Sequence, residues 1–156
     1  MSSVKIPVMP ESAQDLPLLL LAAAAEVTDA IHAGVVAAGF TDVRPTHGFA
    51  FVRMAPHGAT VGEIAEHLGV TKQAASQMVD ELVRKGYAER NPHPHDSRAR
   101  LITLTGRGWA CTRAADAAIA EFTGGWATTL GDGGVVELRS ALARVVTPGR
   151  VRPAVW

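Results

Sequence analysis

Residues 60–105 read TVGEIAEHLGVTKQAASQMVDELVRKGYAERNPHPHDSRARLITLT, and this stretch decides the fold. Thr60 stands before Val61, with Glu63 three residues on. That is a capping box, in which hydroxyl and carboxylate satisfy backbone N–H groups at a helix start. Ile64, Ala65 and Leu68 recur at helical spacing. Gly69 stops the helix, because it tolerates the left-handed backbone of a sharp turn. Val70 follows as a buried anchor, and Thr71 caps a second helix. Val70, Ala74, Met78 and Leu82 step by four as the expected inner face, widened by Ala75, Val79 and Val83. Ala65 and Ala75 are small where two helices cross closely, and Gly86 ends the second helix. The unit is a helix-turn-helix.

The second helix is left with Thr71, Lys72, Gln73, Ser76, Gln77, Asp80 and Arg84 facing outward. Glutamine pairs bidentately with adenine, and serine or threonine bonds bases or phosphates. Lys72 suits a phosphate contact. Asp80 repels DNA and is expected to face an arginine rather than a groove. Tyr87–Arg90 and Leu101–Leu104 read as short strands around a loop stiffened by Pro92 and Pro94. From residue 84 to 100 the formal charge is about +3. An arginine at such a tip suits a narrow minor groove. Arg98 is open to two readings, a groove contact or a brace to Asp96 or Asp80; Arg100 is the alternative contact. Candidate DNA-binding residues are therefore Thr71, Lys72, Gln73, Ser76, Gln77, Arg84, Arg98 and Arg100.

The run IAEHLGVTKQAASQMVDELVRKGYAER followed by HDSRARLITLTGRG resembles the MarR (multiple antibiotic resistance regulator) winged-helix regulators. The matching pieces are Glu63-Ile64-Ala65, Gly69-Val70-Thr71, Leu82 to Gly86, Asp96-Ser97-Arg98, and Leu104-Thr105 followed by Gly108. The resemblance implies a homodimer on a pseudo-palindromic operator, commonly a repressor released by a small aromatic or phenolic ligand. The sequence departs from the family at Arg44-Pro45-Thr46-His47-Gly48, where the family often has a threonine in place of Arg44 and rarely a glycine inside the helix.

The expected architecture is mainly α with a small β-hairpin wing. One domain spans residues 1–156, with a winged helix-turn-helix lobe at 60–105 flanked by dimerisation and sensor helices at 12–55 and 106–147. A long first helix is expected over about residues 12–39, with Ser12 and Asp15 as its cap and Pro17 in its first turn. Leu18–Leu21 make it apolar all round, so a subunit interface is expected to bury the surplus. A second helix covers 45–55. A third runs from Gly106 to about Leu130 and carries Trp109, Cys111, Ala115, Ile119 and Phe122. Asp132 caps a last helix to about Val146, with Val136, Leu138, Leu142 and Val145 apolar, and Pro148-Gly149 ends it. The first ten and last eight residues read as loose or strapped across a partner.

The resemblance implies that Phe40, His47, Phe49, Phe51, Met54 and Trp109 lie in helices that abut the reading head. Of these, His47, Phe49, Phe51, Met54 and Trp109 are candidate ligand residues for a flat apolar molecule, with His47 bonding a carboxylate or phenol. Core filling is the plain alternative.

Composition sets bounds. The chain is 156 residues long, with 15 basic and 15 acidic side chains. Neutrality argues against a strongly basic DNA binder, but the acids cluster on the helices and the basic excess sits in the wing. One cysteine, Cys111, excludes an intrachain disulfide. Leu18–Ala25 is apolar but too short by itself to cross a bilayer, and nothing resembles a signal peptide. A cytoplasmic, nucleoid-associated protein without cofactor and without membrane partner is expected.

Three other function classes are worth weighing. His93, His95 and Asp96 superficially resemble the His-x-His-x-Asp of metal hydrolases, but the aspartate follows His95 directly and no second ligand cluster appears. No nucleophile elbow points to an enzyme. Cys111 admits a thiol-based redox sensor, and a winged helix can serve protein contacts alone.

Overall fold

The computed structural model describes residues 15–55, 57–131 and 133–147. In chain order these form α1 (Leu16–Ala37), α2 (Pro45–Met54), α3 (Val61–Leu68), α4 (Lys72–Arg84), β1 (Ala88–Pro92), β2 (Arg100–Leu104), α5 (Gly106–Leu130) and α6 (Gly134–Val145). The mainly helical winged architecture expected from sequence is present.

The helix-turn-helix forms as its end signals dictate. Thr60 Oγ1 accepts the Glu63 N–H at 3.3 Å, and the Glu63 carboxylate accepts the Thr60 N–H at 2.8 Å. Gly69 takes φ +67°, the left-handed turn that ends α3. Thr71 Oγ1 accepts the Ala74 N–H at 3.1 Å and opens α4. The inner face of α4 is Ala75, Val79 and Leu82, with Met78 and Val83 packed at its edge. Ala74 is exposed, contrary to the step-of-four reading. Residues four apart drift around a helix of 3.6 residues per turn, and Ala75 takes the inward place.

The wing is one antiparallel pair, registered Ala88 to Leu104, Arg90 to Ile102 and Pro92 to Arg100. Tyr87 precedes the ladder instead of opening it, and Pro92 belongs to the strand rather than to the loop. Its missing N–H is harmless at an edge. Ala59 bonds Ile102 in both directions, at 2.8 and 2.9 Å, so the chain entering α3 flanks β2 on its other side.

One core joins the helices to the wing. Ala50, Phe51 and Met54 of α2 meet Ile64 and Leu68 of α3, Val79 and Leu82 of α4, Tyr87, and Ile102 of β2. Burying each large side chain contributes about 1.5–3 kcal/mol. Tyr87 is fully buried, with Phe51 and Phe40 at ring distances of 5.8 and 6.2 Å. Phe40 lies in the turn after α1 rather than in a helix. Thr105 opens α5 by accepting the Gly108 N–H at 3.2 Å. A Cβ on Gly108 would stand 2.2 Å from the Tyr87 carbonyl oxygen, so that glycine lets α5 close on the reading head.

The flanks differ in detail from the sequence reading. α1 starts at Leu16, and Asp15 makes no side-chain cap bond. Ser12, Asp132, Pro148 and Gly149 lie outside the described residues, as do the first ten and last eight. α6 follows Gly133 and ends at Val145. Though Leu18–Ala25 alone is short, the whole of α1 is 22 residues and apolar enough by length and composition to cross a membrane. Glu26 and Asp29 lie within it, and it packs along α5.

Candidate nucleic-acid interface and the cavity behind it

On α4, Lys72, Gln73, Gln77 and Arg84 are exposed and Ser76 is half-buried. The Thr71 hydroxyl, used as acceptor in the cap, keeps its own O–H free to donate. These candidates therefore share one outward face at the start of α4, with Arg84 at its far end. Asp80 also lies on the exposed side, and it is ion-paired to Arg90 of β1. An arginine does neutralise Asp80, but it is Arg90 and not Arg98.

In the wing tip, Asp96 Oδ1 accepts the Arg98 backbone N–H at 2.9 Å, and the Asp96 carbonyl accepts the Ala99 N–H at 3.1 Å. The Asp96-Ser97-Arg98 signature thus braces the loop through main chain. The Arg98 guanidinium makes no ion pair among the described residues, and neither does that of Arg100; both residues are exposed. The brace and the free cation are different parts of one residue.

A second polar cluster fixes α4 from behind. Glu81 pairs with Arg44, at the start of α2, and with Lys85 at 2.7 Å. Lys85 also donates to the Asp42 carbonyl at 2.5 Å. The Asp42 carboxylate accepts from the Tyr87 hydroxyl at 2.5 Å and from Arg107 at 3.3 Å, and Arg107 lies 4.5 Å over the Tyr87 ring. The Tyr87 hydrogen bond, followed by Arg107, holds the Asp42 carboxyl below its usual range. The Lys85 hydrogen bond leads in lowering Glu81. Burial, followed by the Asp42 bond, pushes Tyr87 up to about 12. Sequence reasoning missed this cluster, because its members come from four separate segments and carry no local signal.

His47 belongs to that cluster. Its Nδ1 accepts the Arg44 backbone N–H at 3.1 Å, and its Nε2 lies 3.1 Å from the Arg44 guanidinium and 3.6 Å from Glu81. Burial first, and then the Arg44 charge, push its pKa down to about 4, so the ring is neutral.

Between α1, α2 and α5 lies an apolar cavity of about 160 Å³. Its walls include Ile31, Val35, Phe49, Phe51, Cys111 and Ile119. Thr28, His32, Arg44, Thr112 and Asp116 are its polar side chains. Of the expected ligand residues, Phe49 and Phe51 line it. His47 does not, being committed to Arg44. Met54 does not, being 1% exposed within the core under α3. Trp109 does not; it is 41% exposed on the outer side of α5. α1 and α5 supply most of the missed lining, and their apolar residues carry no local mark separating cavity wall from core.

A family model described as MarR family matches residues 49–99, from α2 to the wing tip. Over this segment the chain is similar to the MarR family. Solved structures agree in fold. A MarR-family transcriptional regulator from Rhodococcus sp. RHA1 is 23% identical, with a TM-score of 0.70, over 92% of this chain and 100% of that one. CouR from Rhodococcus jostii RHA1, bound to p-coumaroyl-CoA, gives the same identity, coverage and TM-score. A MepR mutant from S. aureus, bound to an oligodeoxyribonucleotide, is 18% identical over 86% of this chain and 96% of that one, with a TM-score of 0.59. No curated protein matches in sequence. The first of these is a transcriptional regulator, and the three share the winged helix-turn-helix fold of this chain.

Proposed function

We propose that this chain is a DNA-binding transcriptional regulator of the MarR family and a homodimeric repressor. It reads a pseudo-palindromic operator with Thr71, Lys72, Gln73, Ser76, Gln77 and Arg84 of each α4 in the major groove, and with Arg98 and Arg100 of each wing alongside. A small aromatic or phenolic ligand in the cavity behind α2 releases it. The observation that carries the reading is the pairing pattern. Asp80, the acid on the outward face of α4, is neutralised by Arg90, while Lys72, Arg84, Arg98 and Arg100 make no ion pair among the described residues. A groove-facing surface is thereby cleared of unpaired carboxylate on that face and keeps its cations for phosphate.

Dimerisation is supported by apolar surface. Leu16, Leu18, Leu19 and Leu21 of α1 are more than half exposed, Val145 of α6 is 78% exposed, and α6 buries none of its residues. A second copy is the natural cover for such a surface. The fold relatives support a cytoplasmic setting. Cys111 suits a structural role: it is 2% exposed, and burial pushes its thiol up to about 11, away from the reactive thiolate.

The test is a gel shift on sheared genomic DNA at moderate salt, with sedimentation of the free protein. A sequence-preferring complex of a dimer is expected. A complex without sequence preference, or none, favours a winged helix used for protein contacts.

A further inference from the structure

Three segments meet at Tyr87. It follows Gly86, whose φ of +77° turns the chain out of α4, and it precedes β1, so it stands where the reading helix gives way to the wing. Its ring is fully buried against Phe51 and Phe40. Its hydroxyl donates to Asp42, in the turn between α1 and α2, and accepts from Arg107, the second residue of α5, at 2.9 Å. Arg107 also donates to the Asp42 carboxylate. A separate route holds the same junction to α5: the Tyr87 carbonyl accepts the Thr105 N–H at 3.0 Å, and the Gly86 carbonyl accepts the Thr105 hydroxyl at 2.6 Å. The reading head is thus fastened twice to the helices that carry it, once through main-chain carbonyls and once through the Asp42, Tyr87 and Arg107 side chains.

The side-chain fastening adds little to stability. The Tyr87 ring alone fills its place in the core, and the Arg107 and Asp42 side chains are 48% and 40% exposed, where an ion pair contributes little. What this fastening constrains is direction. Three groups from three segments fix where the α4–β1 junction sits over the α1–α2 turn and the start of α5. α1, which packs along α5, carries much of the apolar surface assigned above to a second copy. We propose that Asp42, Tyr87 and Arg107 are positioning residues that lock each reading head at one angle on the α1–α5 frame, and so set the spacing of half-sites that a dimer accepts. They act through α4 and the wing and not on DNA. A base pair adds about 3.4 Å along the duplex, so a small swing of each head is enough to blur that spacing. The consequence for DNA rests on the reading assignment above; the lock itself does not.

The test removes the tie and keeps the core. Tyr87→Phe deletes only the hydroxyl, and Asp42→Ala deletes its acceptor from the α1–α2 turn. In the free full chain, spin labels on Gln73→Cys and Glu121→Cys, diluted into unlabelled protein, measure the distance between α4 and α5 within one protomer. Cys111 is buried and stays unlabelled. With the lock intact one narrow distribution is expected, and in each lock variant a distribution about twice as wide or more. A width unchanged in either variant overturns the lock. On DNA, the duplex selected from a random pool is compared with versions one and two base pairs longer or shorter at its centre. The wild type should lose about tenfold or more in affinity for one base pair, and Tyr87→Phe about threefold or less. A merely structural role weakens every duplex alike and keeps the wild-type profile, and that result overturns the positioning role. A wild-type protein that selects no paired half-sites sinks the reading assignment instead, while the spin-label widths still decide the lock.

Discussion

Asp80 of α4 and Arg90 of β1 form an ion pair that ties the reading helix to its wing. Both partners come from elements that face DNA in the proposed complex, so the pair sets local charge as well as geometry. Asp80→Asn releases Arg90 as an extra cation and removes an anion beside the phosphates. Exposed pairs contribute under about 1 kcal/mol to stability, so the fold should persist. DNA binding is expected to tighten severalfold at low salt, with the salt slope steeper by about 1 per protomer. Fluorescence anisotropy over a salt series checks this; a weaker complex would mean that the pair's geometry outweighs its charge.

The same reasoning limits the phosphate contacts. Lys85 and Arg90 are committed to acids, which leaves Lys72, Arg84, Arg98 and Arg100 in each reading head. With four per protomer, the logarithmic salt slope of a dimer should not exceed about 7 in magnitude. A slope beyond about 9 would show that the internal pairs open on DNA.

The wing cations and the base readers are separable. Arg98→Ala with Arg100→Ala should weaken operator binding at least tenfold, with the melting temperature unchanged, since neither guanidinium is used within the described fold. Unchanged affinity removes the wing from the mechanism. Gln73→Ala should cost about 1–3 kcal/mol at one base position if its amide pairs with adenine. An equal loss on every sequence would mark a phosphate contact instead.

His47 gives stability a pH dependence. Its folded pKa is near 4, against 6.5 for the free side chain, so between those values the unfolded chain binds more protons than the folded one. Its contribution is present above pH 6.5 and is lost as pH falls from there towards 4, by roughly 3 kcal/mol at most. Glu81 and Asp42, also shifted down, act at lower pH, below the ordinary carboxylate range. Denaturation of the wild type and His47→Gln at pH 7, 5.5 and 4.5 samples the His47 window before the carboxylates titrate. The variant should lose less stability across this range; parallel curves would place the charged imidazole comfortably inside the fold.

Gly108 and Gly106 open the same helix and should respond oppositely. A methyl group on Gly108 meets the Tyr87 carbonyl oxygen, whereas one on Gly106 meets nothing within 4 Å. Gly108→Ala is expected to cost about 2 kcal/mol or more, and Gly106→Ala to be neutral or mildly stabilising. Urea denaturation measures both.

These positions also show what the sequence carried. Helix ends were legible at Thr60, Glu63, Gly69 and Thr71, because caps and left-handed turns are chemistry of adjacent residues. The inner face of α4 was legible to within one residue, and Ala74 was misplaced because a four-residue step overruns the helical turn. The cavity lining was legible at two of the five positions named for it. Phe49 and Phe51 face the cavity, but His47 is absorbed by Arg44 and Glu81, which are separated from each other by 37 positions in sequence. Trp109 shows only that a large aromatic on a core helix does not declare which side it faces. The wing signature was readable as a pattern, yet its division between a main-chain brace and a free guanidinium is a matter of geometry.

The central claim is sequence-specific reading of DNA by two copies of α4 and the wing. Selection of bound duplexes from a random pool tests it most directly. Enrichment of a pseudo-palindrome, with half-sites about one helical turn apart and with the enrichment abolished in the Arg98→Ala, Arg100→Ala protein, is the predicted result. A pool that stays random after repeated rounds, although the folded protein is present, would contradict it.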